Sequence, residues 1–236
     1  MEVQLPEVAS TNLYCEALDL DKVEDFTCYW TLRQTAGRGQ QGNRWHSSPD
    51  RNIAFSLVLH PQQLDAASQF VLTQMLSLAV TDWLATLGIE ANIKWPNDIY
   101  VGDKKLCGIL TSVRVQGGKV QSAVCGVGVN VMESDFPQWI PNPTSLALLG
   151  HPLPPRVALR QLLAAISVRY CQLQQGYDFQ REYLGRLYRF GVEAEYLIGD
   201  RRVAATITGV NPFGHLQLRD ADGQCHSCAM KEIKFL

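Results

Sequence analysis

The sequence has no hydrophobic run long enough to cross a lipid bilayer. A membrane-spanning helix needs about 20 consecutive apolar residues, and no segment of the chain approaches that length. Residues 1–10 also lack the basic region followed by an apolar stretch that marks a secretory signal. We therefore expect a protein of the cytoplasm that has no membrane partner.

The sequence also lacks an excess of charge of either sign. Its 21 Lys and Arg residues are balanced by 23 Asp and Glu residues, for a formal net charge of −2. The basic residues are scattered rather than gathered into an arm, so no electrostatic footprint for nucleic acid is expected. Small molecules or other proteins are the favoured partners, and DNA is not expected to be one.

The cysteines do not form the pattern of a disulfide framework or of a metal site. There are seven, an odd number at irregular spacing, which is typical of buried thiols in a reducing compartment. Cys225 and Cys228 have Cys-x-x-Cys spacing, but a structural zinc site needs four ligands and no second pair is present. No metal ligands are therefore predicted.

The first part of the chain alternates helical and strand-like patterns. Apolar residues recur at spacings of three and four in two segments, which predicts two helices that face a core. Three short segments rich in branched residues predict strands, and Gly117-Gly118 predicts a tight hairpin between the last two. The first predicted helix is 70–87. The second has its apolar positions at 159–173, begins after the prolines at 152, 154 and 155, and ends near Gly176. The predicted strands are 52–59, 107–115 and 119–124.

These patterns predict an α+β fold in two domains. Helices interleaved with antiparallel hairpins favour a mixed sheet over a fully parallel, doubly wound one, and we place this larger domain at residues 1–184. After Gly191 the sequence changes to short β-like segments separated by turn signals, which predicts a small barrel at residues 190–236. The expected strands of the barrel are 192–198, 203–210, 214–219 and 225–231.

Gly37, Gly39 and Gly42 match Gly-x-Gly-x-x-Gly, a pattern shared by dinucleotide-binding and kinase loops. A dinucleotide fold needs a helix to begin at the third glycine, yet residues 43–49 have no helical period. A kinase needs His-Arg-Asp and Asp-Phe-Gly, and neither string occurs. Two interpretations remain: a flexible loop that binds anions through Arg38 and Arg44, or a solvated surface turn.

A second unusual string is Lys-Trp-Pro-Asn-Asp at residues 94–98. Pro96 removes a backbone donor and stiffens the turn, so Asn97 and Asp98 are expected at the end of a strand. Chemistry at this strand end is one interpretation. The alternative is a proline turn with an exposed lysine and a side-chain cap.

Taken together, five ordered segments resemble the catalytic domain of biotin protein ligases. They are Ser10-Thr11-Asn12, residues 33–39, residues 94–98, residues 105–110 and residues 126–130. The resemblance implies the class II synthetase-like (biotin–lipoate ligase) fold with a small C-terminal SH3-like barrel. It also implies that the protein activates biotin with ATP and Mg²⁺ to biotinyl-5′-AMP, and that it then transfers biotin to a lysine of a biotin carboxyl carrier protein domain. A homodimer is compatible with it.

The resemblance implies a role for individual residues. Arg38 and Lys94 would be catalytic, because they would contact both the carboxylate and the phosphates. The residues expected to bind biotin are Ser10, Thr11, Asn12, Gln34, Arg38, Gly39, Gln40 and Lys94. The residues expected to bind ATP are Arg38, Arg44, Trp45, Lys94, Asn97, Lys105 and Asn130.

Individually these residues have structural alternatives. Trp45 could be a core anchor, Asn130 a residue that closes a strand, and Gly126 and Gly128 simple kinks. We call the segment from Gly37 to Gly42 the glycine loop. Many family members have a second arginine in this loop, two residues after the first, whereas this chain has Gln40. Residues 140–153 would form a second loop on the adenine side.

Two rival functions remain open from the sequence. A lipoate or octanoate transferase of related fold would handle a different acyl chain by similar chemistry. A biotin-sensing repressor would need a DNA-binding helix-turn-helix, for which the nine residues before Ser10 leave no room. In a biotin ligase or a lipoate ligase alike, catalysis would rest on positioning and charge rather than on a protein nucleophile. Asp98 could assist the acceptor amine, or it could only cap the turn in which it lies.

Overall fold

The computed structural model describes residues 1–236, except for the side chain of Gln41. The helices are α1 (Thr11–Glu16), α2 (Phe70–Thr86), α3 (Pro155–Gln174) and α4 (Gln180–Gly185). The strands up to the end of the first sheet are β1 (Glu2–Gln4), β2 (Thr27–Thr31), β3 (Gly37–Arg38), β4 (Arg44–Trp45), β5 (Ile53–Leu59), β6 (Asn92–Lys94), β7 (Asp98–Val101), β8 (Lys104–Gln116) and β9 (Lys119–Val129). The last five are β10 (Glu193–Ile198), β11 (Arg201–Val210), β12 (Leu216–Asp220), β13 (Cys225–Cys228) and β14 (Ile233–Phe235).

A seven-stranded sheet forms the centre of the larger part of the chain. Its strand order is β1-β2-β5-β9-β8-β7-β6, and only the β1–β2 pair is parallel. The predicted mixed α+β architecture is therefore confirmed. The predicted hairpin at Gly117-Gly118 is also confirmed, since both residues have positive φ and join β8 to β9. Both strands are longer than predicted.

The two long helices agree with the periodic patterns. The observed α2 ends one residue before the predicted end, and α3 begins four residues earlier than its first apolar position, at Pro155. Proline is well suited to the first turn of a helix because its fixed φ is already helical and its missing N–H would have no partner there. Among the described residues no helix has both the length and the apolar content needed to cross a membrane.

The two faces of the sheet are covered differently. Ile53, Phe55, Leu57 and Leu59 of β5 belong to the main core that includes residues of α2 and α3. Val58 belongs instead to a small second cluster with Cys15 of α1. Because successive strand residues point to opposite faces, α1 lies on the face opposite α2 and α3. This face carries the candidate site.

A buried arginine joins three helices. Arg169 of α3 donates to Asp82 of α2 at 2.6 Å and to Glu182 of α4 at 2.7 Å, and its side chain is only 9% exposed. The second oxygen of Asp82 accepts from Arg186 at 2.7 Å. The hydrogen bond from Arg169 lowers the pKa of Glu182. These pairs hold α4, and the chain that leads to β10, against the helical layer.

We expect Arg169→Met to lower the free energy of unfolding by roughly 3 kcal/mol, because one partner of a buried ion pair is removed while its carboxylates stay. Urea denaturation followed by circular dichroism measures the change. Arg160→Met on the exposed side of the same helix is the matched control and should change stability little. Equal stability of the two variants would contradict the structural role of Arg169.

The C-terminal residues form a separate five-stranded antiparallel sheet with strand order β13-β12-β11-β10-β14. This agrees with the predicted small β unit, which we call the C-terminal sheet. The expected strand 225–231 is wrong in its second half. Lys231 has a left-handed backbone with φ of 74°, which turns the chain after β13, and β14 follows as an additional short strand.

The C-terminal sheet contacts the larger part through its β11–β12 turn. Trp95 donates from Nε1 to the carbonyl oxygen of Gly214 at 2.9 Å. Gly214 has φ of +85°, and a side chain at this position would lie 2.5 Å from the ring of Phe70. The turn therefore needs glycine for its backbone conformation and for its close approach to α2.

The thiols agree in part with their expected burial. All seven cysteines are free, and five are buried, whereas Cys171 and Cys225 are exposed. Burial raises the pKa of Cys125 to about 12, so this thiol is unreactive at neutral pH.

Candidate active site

Three glycines form the floor of a hollow on the α1 face of the sheet. Gly108 pairs with Gly128, and Gly126 pairs with Leu110, so the glycines lie close together on β8 and β9. A Cβ atom on Gly126 would overlap the amide oxygen of Asn12, and one on Gly128 would lie 2.5 Å from the indole of Trp45. The glycines are therefore required by close approach, which rejects the interpretation of simple strand kinks.

One end of the hollow is lined by polar side chains of the first segment. Ser10 caps α1, so Thr11 and Asn12 lie in its first turn over the sheet. Asn12 donates to the carbonyl oxygen of Leu110 at 3.1 Å and accepts from Ser56 at 2.7 Å. These bonds fix the orientation of the buried amide.

Gln34 completes this end. Its amide oxygen accepts from the backbone N–H of Thr11 at 2.9 Å. The predicted biotin residues Ser10, Thr11, Asn12 and Gln34 are thus brought together, with Arg38, Gly39 and Gln40, around one cavity of about 220 Å³ that we call the polar cavity. Lys94 does not line this cavity.

The glycine loop is a small β-hairpin rather than the start of a helix. Strand β4 follows Gly42, which agrees with the rejection of a dinucleotide fold. Arg38 and Arg44 are directly opposite each other in the β3–β4 pair, and both are exposed. Neither side chain forms an ion pair with a carboxylate among the described residues, where the ion pairs of arginine involve other positions. Like charges in register destabilise a hairpin, so an anion between them would relieve the repulsion.

Trp45 covers the glycine floor. Its ring lies against the positions where side chains on Gly108 and Gly128 would project. Its indole N–H is buried and has no hydrogen-bond partner among the described residues. A buried donor without a partner is costly, so a ligand acceptor at this point would stabilise the arrangement.

A second cavity, of about 430 Å³, adjoins the first, and we call it the aromatic cavity. It is lined by Lys94, Asn130, Phe136, Trp139 and Pro143 among others. The two cavities share Asn43, Arg44, Trp45, Asp98 and Lys105. The predicted ATP residues Lys94 and Asn130 thus belong to this second cavity, and the shared residues join the two into one cleft.

Positive charge is concentrated where the cavities meet. Lys105 forms an ion pair with Asp98 at 2.7 Å and lies 5.7 Å from the centre of the Trp45 ring. Lys94 instead donates to the hydroxyl of Tyr100 at 3.2 Å. Burial lowers the pKa of Lys94, and the nearby Asp98 opposes this effect. Asp98 is thus engaged by Lys105, and Lys94 has no carboxylate in direct contact among the described residues.

Asn97 and Asn130 bind the protein backbone. The amide of Asn97 donates to the carbonyl oxygen of Ile109, and the amide of Asn130 donates to that of Thr144 at 2.9 Å. The Asn130 bond fixes part of the predicted second loop, residues 140–153, beside the aromatic cavity. Asn97 lines the polar cavity and Asn130 lines the aromatic cavity, so these bonds fix the wall of the cleft at both places.

Several residues of the cleft were not predicted from the sequence. Ser56 lies inside the apolar strand β5 opposite Gly126, and a serine in that setting was the available signal. Tyr100 follows the Lys-Trp-Pro-Asn-Asp string by two residues. Trp139 and His46 have rings 6.3 Å apart and line the aromatic cavity, and no periodic pattern marks either of them.

Comparisons with known proteins identify the family of this chain. Residues 5–130 match the model of the biotin/lipoate A/B protein ligase family. A biotin–[acetyl-CoA-carboxylase] ligase of Paracoccus denitrificans is 31% identical over 208 residues, which cover 83% of this chain and 85% of that protein. The bifunctional ligase/repressor BirA of Bacillus spizizenii is 33% identical over 169 residues, or 69% of this chain, and the chain spans about half (51%) of its length.

The fold is likewise that of a known structure. A biotin protein ligase from Aquifex aeolicus, solved with biotin and ATP, superposes with a TM-score of 0.80 over 100% of this chain and 98% of that one, at 24% identity. The chain therefore has the fold of that ligase. On the matched family model and the Paracoccus relative, it belongs to the biotin/lipoate A/B protein ligase family.

Proposed function

We propose that this protein is a biotin protein ligase, which joins biotin to AMP and then transfers biotin to a lysine of a biotin carboxyl carrier protein domain. The observation that carries the proposal is the single cleft in which a polar cavity and an aromatic cavity meet at Lys105, Arg44 and Trp45. A cleft with two adjoining cavities can bind biotin and ATP at the same time and bring the biotin carboxylate close to the α-phosphate. The Paracoccus relative is a biotin–[acetyl-CoA-carboxylase] ligase and the Aquifex protein of the same fold is a biotin protein ligase, and both support the same assignment.

The polar cavity favours biotin over lipoate. Ser10, Thr11, Asn12 and Gln34 present hydroxyl and amide groups at the end of the cavity beside α1. The ureido group of biotin has N–H donors and a carbonyl acceptor that can pair with such groups, whereas the dithiolane ring of lipoate has neither. Leaving buried polar groups unpaired costs about 1–3 kcal/mol each, so lipoate would bind this end poorly.

In the first step, a carboxylate oxygen of biotin attacks the α-phosphorus of ATP. The bond from that phosphorus to the bridging oxygen breaks, and pyrophosphate leaves. Two unit anions at about 4 Å repel each other by about 4 kcal/mol at an effective dielectric near 20. We assign Arg38 and Lys94 to offset this repulsion, with Arg44 and Lys105 beside the phosphates.

Mg²⁺ would arrive with the triphosphate. Among the described residues no group of three or more His, Cys, Asp or Glu side chains could hold a metal, and Mg²⁺ usually binds through substrate phosphates and one or two carboxylates. The ion would supply further positive charge at the phosphates.

In the second step, the neutral amine of the acceptor lysine attacks the carbonyl carbon of biotinyl-5′-AMP. The carbon–oxygen bond to the phosphate breaks, AMP leaves, and the amine loses its proton as the amide forms. We propose that residues 1–184 supply the catalytic groups for both steps and that residues 190–236 form an SH3-like unit beside the cleft. The free cysteines support a cytoplasmic setting for the reaction.

The experiment is to mix the protein with ATP, Mg²⁺, a carrier domain and either biotin or lipoate, and to measure the mass of the intact carrier by mass spectrometry. We expect the mass of one biotinyl group, and no change in a carrier whose acceptor lysine is replaced by arginine. A lipoyl group instead would identify the rival ligase. No added mass with either acid would refute the proposal.

A further inference from the structure

We propose that Tyr100 and Phe235 are positioning residues that hold the Lys94 ammonium group at the cleft. The last strand of the chain, β14, would then take part in the first chemical step. This inference rests on the proposed function for its catalytic consequence, although the contacts themselves do not depend on it.

The contacts of Lys94 are aromatic rather than ionic. Its Nζ atom lies 3.2 Å from the Tyr100 hydroxyl, 4.8 Å from the centre of the Tyr100 ring and 5.3 Å from the centre of the Phe235 ring. A lysine side chain has a flexible four-carbon stem, so an ammonium group without an ionic partner needs other contacts to hold it in one place. Two ring faces and one hydroxyl oxygen supply them.

The two aromatic residues are themselves fixed. Tyr100 is 8% exposed, and its ring lies 5.9 Å from that of Tyr188. Phe235 lies edge-to-face with Tyr196 at 5.2 Å and 6.4 Å from Tyr188. The guanidinium of Arg189 covers Tyr188 and donates to the carbonyl oxygen of Leu236 at 3.0 Å. These contacts hold the C-terminal residues in place beside Lys94.

This arrangement keeps the charge of Lys94 available to a ligand. A carboxylate partner would neutralise it, but the adjacent Asp98 is engaged by Lys105 at 2.7 Å. Aromatic faces attract an ammonium group without cancelling its charge. Substrate anions in the cleft would therefore meet a cation that is fixed in position and only partly hydrated.

The protonation of Lys94 gives a readout that does not require catalysis. The charged groups around it are Asp98, which favours the ammonium form, and Lys105 and Arg189, which disfavour it. Burial of Tyr100 raises the pKa of its phenol to about 12, so the hydroxyl stays neutral. Acetic anhydride labels only the neutral amine, so mass spectrometry of the labelled Lys94 peptide across pH gives the midpoint of its titration.

Three variants should shift this midpoint in different directions. Phe235→Leu keeps an apolar cover but removes the ring face, and Tyr100→Phe removes the hydroxyl acceptor, so both should lower the midpoint and raise labelling at a fixed pH about threefold. Phe235→Ala admits water and should raise the midpoint. In all three, we expect the kcat of biotin-dependent pyrophosphate exchange to fall about tenfold, with a smaller change in the KM for ATP.

Ile233→Ala is the matched control on the same strand. Ile233 is 6% exposed, so its truncation should lower the melting temperature, yet the Lys94 midpoint should stay at the wild-type value. The inference is overturned if the midpoint is unchanged in every Tyr100 and Phe235 variant, or if Ile233→Ala shifts it equally. A wild-type protein without pyrophosphate exchange would refute the proposed function instead, while the labelling would still test the positioning of Lys94.

Discussion

Replacing Arg38 with alanine is expected to lower the rate of biotin-dependent pyrophosphate exchange by about 100- to 1000-fold, the range found when one preorganised charge-stabilising donor is lost. Arg38 lines the polar cavity and is in register with Arg44 across the loop hairpin. Its removal leaves the carboxylate and phosphate repulsion less compensated in the first step. Exchange of labelled pyrophosphate into ATP, measured with saturating biotin, gives the rate.

Arg202→Ala is a suitable control for this loss. Arg202 is an exposed arginine of the C-terminal sheet whose side chain lies 3.7 Å from Glu195, and it does not line the cleft. It should exchange at the wild-type rate. If Arg38→Ala also exchanges at that rate, the assignment of Arg38 to the reacting anions is wrong.

Gly126→Ala is expected to weaken biotin binding by about 100-fold or more. The new methyl group would occupy the position of the Asn12 amide oxygen, so Asn12 would lose its bonds to Ser56 and to Leu110. Overpacking costs about 1–3 kcal/mol, and each buried polar group left without a partner adds a similar amount. Isothermal titration calorimetry with biotin measures the loss.

The matched control is Gly185→Ala at the end of α4. A side chain there would meet no atom within 4 Å, and no positive φ restricts the position. Biotin affinity should then remain that of the wild type. Equal affinity in both glycine variants would exclude a biotin site at Asn12.

The sequence predicted the long elements well because each buries a continuous apolar pattern. The helix at residues 70–87 and the strands around Gly117-Gly118 follow directly from hydrophobic periodicity and turn chemistry. The six-residue helix α1 escaped prediction because it is too short to display a period, although Ser10 at its start is a typical cap. The end of β13 was misplaced because nothing in the local pattern marks the left-handed turn at Lys231.

The candidate site was predicted in its composition but not in its arrangement. The sequence by itself predicted which segments line the cleft, because the glycine loop and the Lys-Trp-Pro-Asn-Asp string have compositions that a packed core does not require. The tertiary structure alone decided that Arg38 and Lys94 line adjoining cavities, that Lys105 engages Asp98, and that Phe235 reaches Lys94 from the other end of the chain. The physical reason is that periodicity and propensity act over a few residues, whereas contacts between distant segments depend on how the sheets and helices pack.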